Sequence, residues 1–432
     1  MPRSPLAVLA LSLAAASAVA AGEVPESLTG SDLRAEHASR RAAVAASLPK
    51  GTLAVVPAIA ASPMAFWAPR QEEDYLWLTG SEESNGILFL WPAPAKGKPH
   101  GEMLFLPARM PSRESWVGPR LFPGKEAEEA TGIAATEDRE KVVEFLERRI
   151  DGLEAVYVPR GGAAAEHAER LFGEVLRKRK VRTRDLGPIV GRMRLVKSAE
   201  ELARIRRSAE LSAGGHLRAM RAARAGMPEY AVQAALEAAC REGGCRRQAY
   251  DSIVASGPNA CILHYGRNRR VLEEGDLVLV DAGGEYLGYA CDITRTWPVA
   301  AKFTEEQAKA YDAVLAAQEA GIAAAKPGAT FKEIDAACRK VLEERGYGAA
   351  IRHAVCHWVG LGVHDPNGDT PLAPGAVFVI EPGAYFAEKG FGIRIEDTFA
   401  MREDGSLEVL SKDVPKARAE IERIRAEALS GR

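Results

Sequence analysis

Two different periods of apolar residues along this chain predict helices in some segments and strands in others. Residues 200–223 carry apolar side chains at helical spacing, and the capping-box pattern from Ser198 to Glu201 starts that helix. The arginines on its other side are interpreted as a solvated face. The segment DLVLVD, residues 276–281, is apolar at every position between its two aspartates, which is typical of a strand buried on both faces.

The first half of the chain mixes strand-like and helix-like segments. DYLWLTG at 74–80 and NGILFLWP at 85–92 are short β-rich runs separated by a turn. REKVVEFLERRI at 139–150 has helical spacing. This alternation predicts an α/β fold for the N-terminal half.

The length of 432 residues is more than one hydrophobic core usually supports, so two domains are expected. We place an N-terminal domain at residues 22–190 and a second domain at residues 191–432, with the boundary just before the capping box. The Pro/Gly-rich residues 91–102 are predicted to form a loop that exposes His100.

An internal repeat lies in the second half. The segments LEEGDLVLVDAGG and LAPGAVFVIEPGA align without gaps at an offset of one hundred residues, which places Asp281 against Glu381. A helix entered through a glycine turn precedes each segment, and a second acid follows each, Asp292 in the first and Glu396 in the second. Two related halves would each supply two carboxylates, and an approximate twofold axis would bring the four together.

Four carboxylates at the ends of buried strands carry a large electrostatic cost. Each would lose several kcal/mol of hydration without a partner, and like charges a few Å apart cannot all remain ionised without cations. The four acids sum to a charge of about −4, which two divalent ions would neutralise. Hard oxygen ligands with one imidazole suit manganese, cobalt, iron or zinc.

The candidate imidazole lies in HAVCHWVGLGVHD, which contains His353, His357 and His364. A zinc-protease helix would need the pattern H-E-x-x-H, and its glutamate is absent. Gly360 and Gly362 also disfavour a long helix, so the three histidines are expected on extended or irregular backbone. His357 is the candidate metal ligand. The remaining histidines without such context are interpreted as structural or surface residues: His37, His100, His167 and His216.

The net charge and the N-terminal segment indicate which partners and which compartment to expect. The net charge of −2 gives no electrostatic reason to expect nucleic acid as a partner. Residues 1–21 have a basic residue, an apolar run and small residues near Ala20, which indicate a cleaved export signal and a periplasmic or secreted protein. The apolar run is shorter than a membrane span needs, so no span is expected in the mature form.

All six cysteines lie in the second half. Export makes a disulfide conceivable, and Cys240 with Cys245 is the only plausible local pair. A domain of this size does not need one, so free buried thiols are favoured.

Together these motifs resemble the five-ligand signature of the pita-bread metallopeptidases over residues 191–416, and most closely the aminopeptidase P branch. That branch is also suggested by the tryptophan after His357, by ACILHYG with His264, and by the ending LSKDVPK. RQEEDYLWLTGSEE resembles the start of its accessory domain. The motifs that carry the metal signature are DAG with Asp281, DITRT with Asp292, HWVGLGVHD with His357 and His364, IEPGAY with Glu381, and GIRIEDT with Glu396.

The resemblance implies an α/β N-terminal domain followed by an α+β pita-bread catalytic domain with pseudo-twofold symmetry. It implies that Asp281 chelates one of two divalent ions, that His357 and Glu381 bind the other, and that Asp292 and Glu396 bridge or contact both. Manganese is the ion that the family favours, with cobalt, iron or zinc as alternatives.

The resemblance also implies catalytic roles. Glu381 would handle the proton of a metal-bridging water that becomes the attacking hydroxide, while His264 and His364 would donate to the substrate carbonyl and the tetrahedral oxyanion. His353 matches another active-site histidine. Arg394, two residues before Glu396 and on the same face of a strand, would orient a ligand carboxylate.

The expected function is therefore an exported aminopeptidase that hydrolyses the N-terminal Xaa-Pro bond of peptides. A prolidase, which takes only Xaa-Pro dipeptides, shares every ligand and is the closest alternative. A binding or scaffold protein on the same fold and a metal-free creatinase-like hydrolase are further alternatives, which the intact ligand set disfavours. The sequence leaves self-association open.

Overall fold

The computed structural model describes the chain except for short gaps and its first segment. The described residues are 31–61, 69–93, 101–365, 368 and 370–431. The predicted export signal at 1–21 and His100 lie outside the described residues. No helix in the described part of the chain has the length and apolarity to cross a bilayer.

The N-terminal half is built on one six-stranded sheet with helices on both faces. Its elements are α1 Ser31–Ser47, β1 Thr52–Pro57, α2 Glu73–Thr79, β2 Ile87–Trp91, β3 Gly101–Leu106, α3 Pro111–Val117, α4 Lys125–Thr131, β4 Thr136–Asp138, α5 Val142–Ile150, β5 Ala155–Val158, α6 Gly162–Lys178, β6 Arg182–Asp185 and α7 Gly187–Leu195. The strand order is β4-β3-β2-β1-β5-β6, with β1 parallel to β5 and antiparallel to β2. This mixed sheet confirms the α/β expectation for this half.

Alternation along β1 explains why both faces of the sheet are covered. Ala54 and Val56 pack with side chains of α1, α2 and α4, whereas Leu53 and Val55 pack with side chains of α5 and α6 on the other face. All four are at most 2% exposed. The sheet therefore carries two hydrophobic layers, one of which faces the second half of the chain.

The strand predicted at 74–80 is wrong, because these residues form helix α2. The Glu72 side chain caps the helix by accepting from the Tyr75 backbone N–H, and Gly80 ends it with a left-handed φ of 66°. A short run of aromatic and branched residues reads equally well as a strand or a buried helix, and the two caps decide for the helix.

The second half of the chain contains the same order of helices and strands twice. Its elements are α8 Ala199–Ala222, α9 Glu229–Glu242, β7 Arg247–Gln248, β8 Ile253–Ser256, β9 Leu277–Asp281, β10 Gly284–Tyr286, β11 Tyr289–Ala290, β12 Thr294–Pro298, α10 Glu305–Ala324, α11 Phe331–Glu344, β13 Val377–Ile380, β14 Gly383–Phe386, β15 Phe391–Arg394, β16 Asp397–Met401, β17 Leu407–Val409 and α12 Arg418–Leu429. In each half of the repeat a helix pair precedes a buried strand, a hairpin and a second strand antiparallel to the first. The strand pairs are β9 with β12 and β13 with β16.

Helix α8 begins as predicted, with a capping box between Ser198 and Glu201. The predicted domain boundary near Gly191 falls within helix α7. The interpretation of the α8 arginines as a solvated face is wrong for Arg204, which is only 6% exposed. Helix α2 and the β10–β11 hairpin cover this part of α8, and the sequence of α8 alone does not show that contact.

Candidate metal centre and active site

The four predicted carboxylates occupy equivalent places in the two halves of the repeat. Asp281 ends strand β9, and Glu381 directly follows strand β13. Asp292 lies two residues before β12, and Glu396 lies directly before β16. Antiparallel pairing places Asp281 opposite Thr294 in one half and Ile380 opposite Asp397 in the other, so each pair of acids is held at one end of a two-stranded ladder.

His357 faces three of these acids. Its Nε2 lies 3.4 Å from Oδ2 of Asp292, 3.7 Å from Oε1 of Glu381 and 3.9 Å from Oε1 of Glu396. Its Nδ1 lies 3.2 Å from the Trp358 carbonyl oxygen, which leaves Nε2 directed at the acids. Burial disfavours the imidazolium, but the neighbouring carboxylates outweigh it and raise the pKa of His357.

Ligand atoms of Asp292, His357 and Glu396 lie within 4.8 Å of one another, as ligands of one metal ion must. Oε1 of Glu396 is buried and has no hydrogen-bond partner among the described residues. Burial, with Asp292 and Glu381 close by, raises the pKa of Glu396 well above its usual range. Burial also raises the pKa of Glu381 to about 7 and that of Asp292 above its usual value. Burial and crowding therefore disfavour the ionised forms of these three acids, and divalent cations fit the donor set.

Asp281 is the exception among the four acids. Burial would raise its pKa, but the Arg394 guanidinium and the Tyr250 hydroxyl outweigh burial and lower it. Arg394 Nη2 donates to Oδ2 of Asp281 at 2.5 Å, which is the ligand-orienting contact predicted for this arginine. Tyr250 OH donates to Oδ1 of Asp281 at 2.7 Å and also contacts Asp292.

Tyr250 lies between strands β7 and β8 and belongs to no motif, so sequence reasoning missed it. Tyr385 was also missed. Its hydroxyl lies 2.7 Å from Nε2 of His353 and 2.9 Å from Nη1 of Arg394. The tyrosine of IEPGAY, two residues after the glycine, is a weak sequence signal for contact with His353 or Arg394. Only the register of β14 against β15 brings its hydroxyl to Arg394.

The remaining predicted histidines complete the wall of the same cavity. The His364 ring lies edge-to-face on His357, with centroids 4.1 Å apart. Burial, followed by the charges of His357 and His264, lowers the pKa of His364 to about 4. Burial and then Arg394 lower the pKa of His353 to about 4. Both rings are therefore neutral near pH 7, and each can offer one N–H donor.

All nine predicted site residues line one cavity of about 120 Å³. They are His264, Asp281, Asp292, His353, His357, His364, Glu381, Arg394 and Glu396. The backbone of the 353–365 segment is irregular, as predicted from its glycines, and its isolated bridges join Trp358 to Asp365 and to Phe378.

Asp365, next to His364, ties this segment to the N-terminal half. Arg194 Nη2 donates to its Oδ1 at 2.6 Å, and Lys197 Nζ to its Oδ2 at 3.2 Å. Arg194 also pairs with Glu73 at 2.6 Å and with Asp74 at 2.7 Å, both on helix α2. The accessory half thus contributes two carboxylates to the network beside the catalytic segment.

Three of the other histidines are structural, as expected. His37, His167 and His216 are buried, and each places one ring nitrogen within 2.9 Å of a backbone carbonyl oxygen. All six cysteines are free thiols. Cys291, directly before Asp292, is fully buried, and burial raises the pKa of its thiol to about 12.

Both halves of the chain match known protein families. The model of metallopeptidase family M24 matches residues 203–403, and the model of the aminopeptidase P N-terminal domain matches residues 37–157. The chain is 33% identical to the Xaa-Pro aminopeptidase of Escherichia coli strain K12 over 434 residues, which covers 90% of this chain and 97% of the relative. It is also 33% identical to human Xaa-Pro aminopeptidase 3, covering 83% of this chain and 77% of the relative.

Solved structures agree with the sequence relatives. Zinc-substituted E. coli aminopeptidase P in complex with product superposes with a TM-score of 0.82 at 32% identity, covering 91% of this chain and 98% of that chain. Pseudomonas aeruginosa aminopeptidase PepP superposes with a TM-score of 0.81 at 34% identity, covering 92% and 99%.

Proposed function

We propose that this chain, which belongs to metallopeptidase family M24, cleaves the N-terminal residue from peptides with proline second. It is a metallo-aminopeptidase with an aminopeptidase P-type N-terminal domain and a pita-bread catalytic domain. The observation that carries the proposal is the single cavity in which all nine predicted residues meet. Proline in second position suits a dedicated enzyme, because its tertiary amide and fixed φ hinder ordinary peptidases.

The metal content that we propose is two divalent ions. Asp281, Asp292, Glu381 and Glu396 would hold them together with His357, and the orphaned Oε1 of Glu396 supports such a site. Bound there, the ions would lower the pKa of a water molecule and polarise the scissile carbonyl. Family resemblance favours manganese, and cobalt, iron or zinc would also suit the oxygen-rich donor set.

The chain's own residues divide the remaining work. Glu381 lies in the cavity with a pKa near neutrality, so it can take a proton from the attacking water and pass it to the leaving imino nitrogen of proline. His264 and His364 are the donors that we assign to the substrate carbonyl oxygen and to the oxyanion. Arg394 and Tyr250 fix the orientation of Asp281.

A peptide-length assay tests the substrate. Purified, manganese-reconstituted enzyme is given an Xaa-Pro-Yaa tripeptide, the matching Xaa-Pro dipeptide and an Xaa-Ala-Yaa control. We expect release of Xaa from the Xaa-Pro-Yaa tripeptide only. Cleavage of the dipeptide alone would establish a prolidase instead, and bound metal with no turnover of any peptide would establish a non-catalytic protein on this fold.

Export to the periplasm or to the medium is the second part of the proposal. Its support is the pattern of residues 1–21, an arginine followed by an apolar run and small residues. N-terminal sequencing of the protein from fractionated cells should find a mature chain that begins near Gly22, outside the cytoplasm. A chain in the cytoplasm that retains residues 1–21 would refute export.

A further inference from the structure

A second cavity lies where helix α2 meets helix α8 and the β10–β11 hairpin. Its volume is about 160 Å³, and none of the nine predicted site residues lines it. Leu76, Trp77 and Leu361 form an apolar part of its wall, and Arg204 of helix α8 lies in the same wall. The cavity is therefore a mixed pocket, separate from the catalytic one, between the two halves of the chain.

Arg204 is buried and forms no ion pair with any acid in the part of the chain that the structure describes. Arg204 is 6% exposed, and neither its Nε nor its Nη2 has a hydrogen-bond partner among the described residues. Its guanidinium makes a cation–π contact with the Tyr289 ring, whose centroid lies 5.4 Å from Cζ. A guanidinium has five donors and cannot lose its charge, so a buried one without an acceptor is unfavourable unless an anion completes it.

The acids nearby are already committed to other partners. Glu201 Oε1 accepts from Tyr289 OH at 2.7 Å and from Trp77 Nε1 at 3.0 Å, and it also pairs with Arg40 at 3.1 Å. Glu36 pairs with Arg40. Its Oε2 is buried without a hydrogen-bond partner among the residues described, but Glu36 does not line the cavity.

The acid that does line the cavity is also paired elsewhere. Glu82 has a side chain that is 60% exposed, and it forms an ion pair with Arg246 at 2.5 Å. Arg204 therefore remains the cation in this wall without an acidic partner among the described residues.

We propose that this cavity binds a small organic carboxylate with a short, branched apolar tail. Two parallel N–H donors of a guanidinium match the two oxygens of a carboxylate. The leucines and the tryptophan of the wall provide the surface for the tail. Arg40 also lines the cavity, but it pairs with Glu36 and Glu201, which leaves the charge of Arg204 for a ligand. One available guanidinium in a partly apolar wall suits a monoanion better than a doubly charged phosphate, which needs more donors.

Calorimetric titration of the metal-loaded enzyme with isovalerate tests the proposal. We expect binding of isovalerate and binding about tenfold weaker or worse for isovaleramide, which has the same shape without the charge. The Arg204→Met variant should lose this binding, whereas Arg221→Met, an exposed position on the same helix, should keep it. A carboxylate bound at the catalytic metals contributes equally to all variants, so the difference between wild type and Arg204→Met isolates the second cavity.

Three results would overturn the proposal. Equal isovalerate binding by wild type and Arg204→Met would remove Arg204 as the anchor. Displacement of isovalerate by inorganic phosphate at a lower concentration would make the site one for inorganic anions. If Arg204→Met does not fold, a crystal of the wild-type enzyme soaked in isovalerate decides the question. Electron density for a carboxylate beside Arg204 would support the proposal, and a cavity without isovalerate density would contradict it.

Discussion

The guanidinium of Arg394 donates from Nη2 to Oδ2 of Asp281 at 2.5 Å and so joins the second half of the repeat to the first. Arg394 ends strand β15, and Asp281 ends strand β9. The bond is enclosed, because Arg394 is 3% exposed and Asp281 is 8% exposed. It keeps one of four crowded acids ionised and oriented before any metal binds.

Replacing Arg394 should therefore weaken both metal binding and turnover. For Arg394→Gln we expect kcat/KM to fall by about 10- to 100-fold, because an outer residue that orients a metal ligand has effects of that size. Enzyme kinetics and metal titration measure the two effects. Arg402→Gln is the matched control, since the Arg402 side chain is 54% exposed and pairs with Glu408 at 3.7 Å. Unchanged metal affinity in Arg394→Gln would contradict the orienting role.

Tyr250→Phe removes one hydroxyl that serves two ligand carboxylates, Asp281 and Asp292. We expect the metal dissociation constant to rise by about 10-fold or more, with little change in the free energy of unfolding of the metal-free protein. Titration calorimetry and urea unfolding separate these readouts. Tyr230→Phe, at a residue that is 58% exposed, should change neither. An identical metal affinity in Tyr250→Phe and wild type would show that the hydroxyl does not hold the ligands in place.

Metal removal gives the third prediction. After dialysis against a chelator, wild-type enzyme should lose activity and regain it with manganese, because Asp292 and Glu396, which face His357, form no ion pair with an arginine or lysine among the described residues. His357→Ala should bind less metal by elemental analysis and should not regain activity with manganese. Full activity in protein shown by elemental analysis to be metal-free would instead favour a hydrolase that works without metal.

Asp365→Asn should destabilise the protein. The Asp365 side chain is 1% exposed and pairs with Arg194 and Lys197, so its loss leaves buried cations short of negative charge. We expect the free energy of unfolding to fall by about 3 kcal/mol, at the lower end for a broken buried pair because Glu73 and Asp74 still pair with Arg194. Urea unfolding measures it, and Asp413→Asn at an exposed position is the control. A loss no larger than that of the control would show that the network contributes little.

His37 predicts a dependence of stability on pH. Burial, and then the charges of Arg40, Arg41 and Arg204, lower its pKa from 6.5 to about 4, although the Trp77 carbonyl opposes the shift. The folded state then binds the proton less well than the unfolded state, so the contribution of His37 is complete above pH 6.5 and is lost as the pH falls towards 4.

At pH 5 the loss from this one group should be about 2 kcal/mol relative to neutral pH. Urea unfolding of wild type and His37→Gln at both pH values gives the difference. Glutamine does not titrate, so the decline should be shallower in the variant. Parallel declines in the two proteins would mean that His37 is protonated equally in the folded and unfolded states.

The chemistry of the site was available from the sequence because it depends on residue type and on the repeat. An aspartate or glutamate at the end of an apolar strand carries a large desolvation cost wherever that strand is buried. Two such strands at an offset of one hundred residues imply that their acids meet at one metal centre. The absence of a glutamate after His353 and the glycines before His364 were enough to predict an irregular segment rather than a helix.

Other features required the folded chain. Tyr250 reaches Asp281 across 31 residues of sequence, and no motif marks it. Tyr385 reaches His353 and Arg394 only once strand β14 pairs with β15. The run at 74–80 was predicted as a strand, and only its two caps and its packing show that it is a helix.

The sequence by itself determined which side chains could neutralise two divalent ions, since charge and ligand chemistry are properties of the residues and the repeat fixed their equivalent positions. Tertiary structure alone decided which polar groups surround them and which cations are shielded from water. Arg204 illustrates the reason: its own helix presents it like any surface arginine, and its burial results from an N-terminal helix and a distant hairpin that close over it.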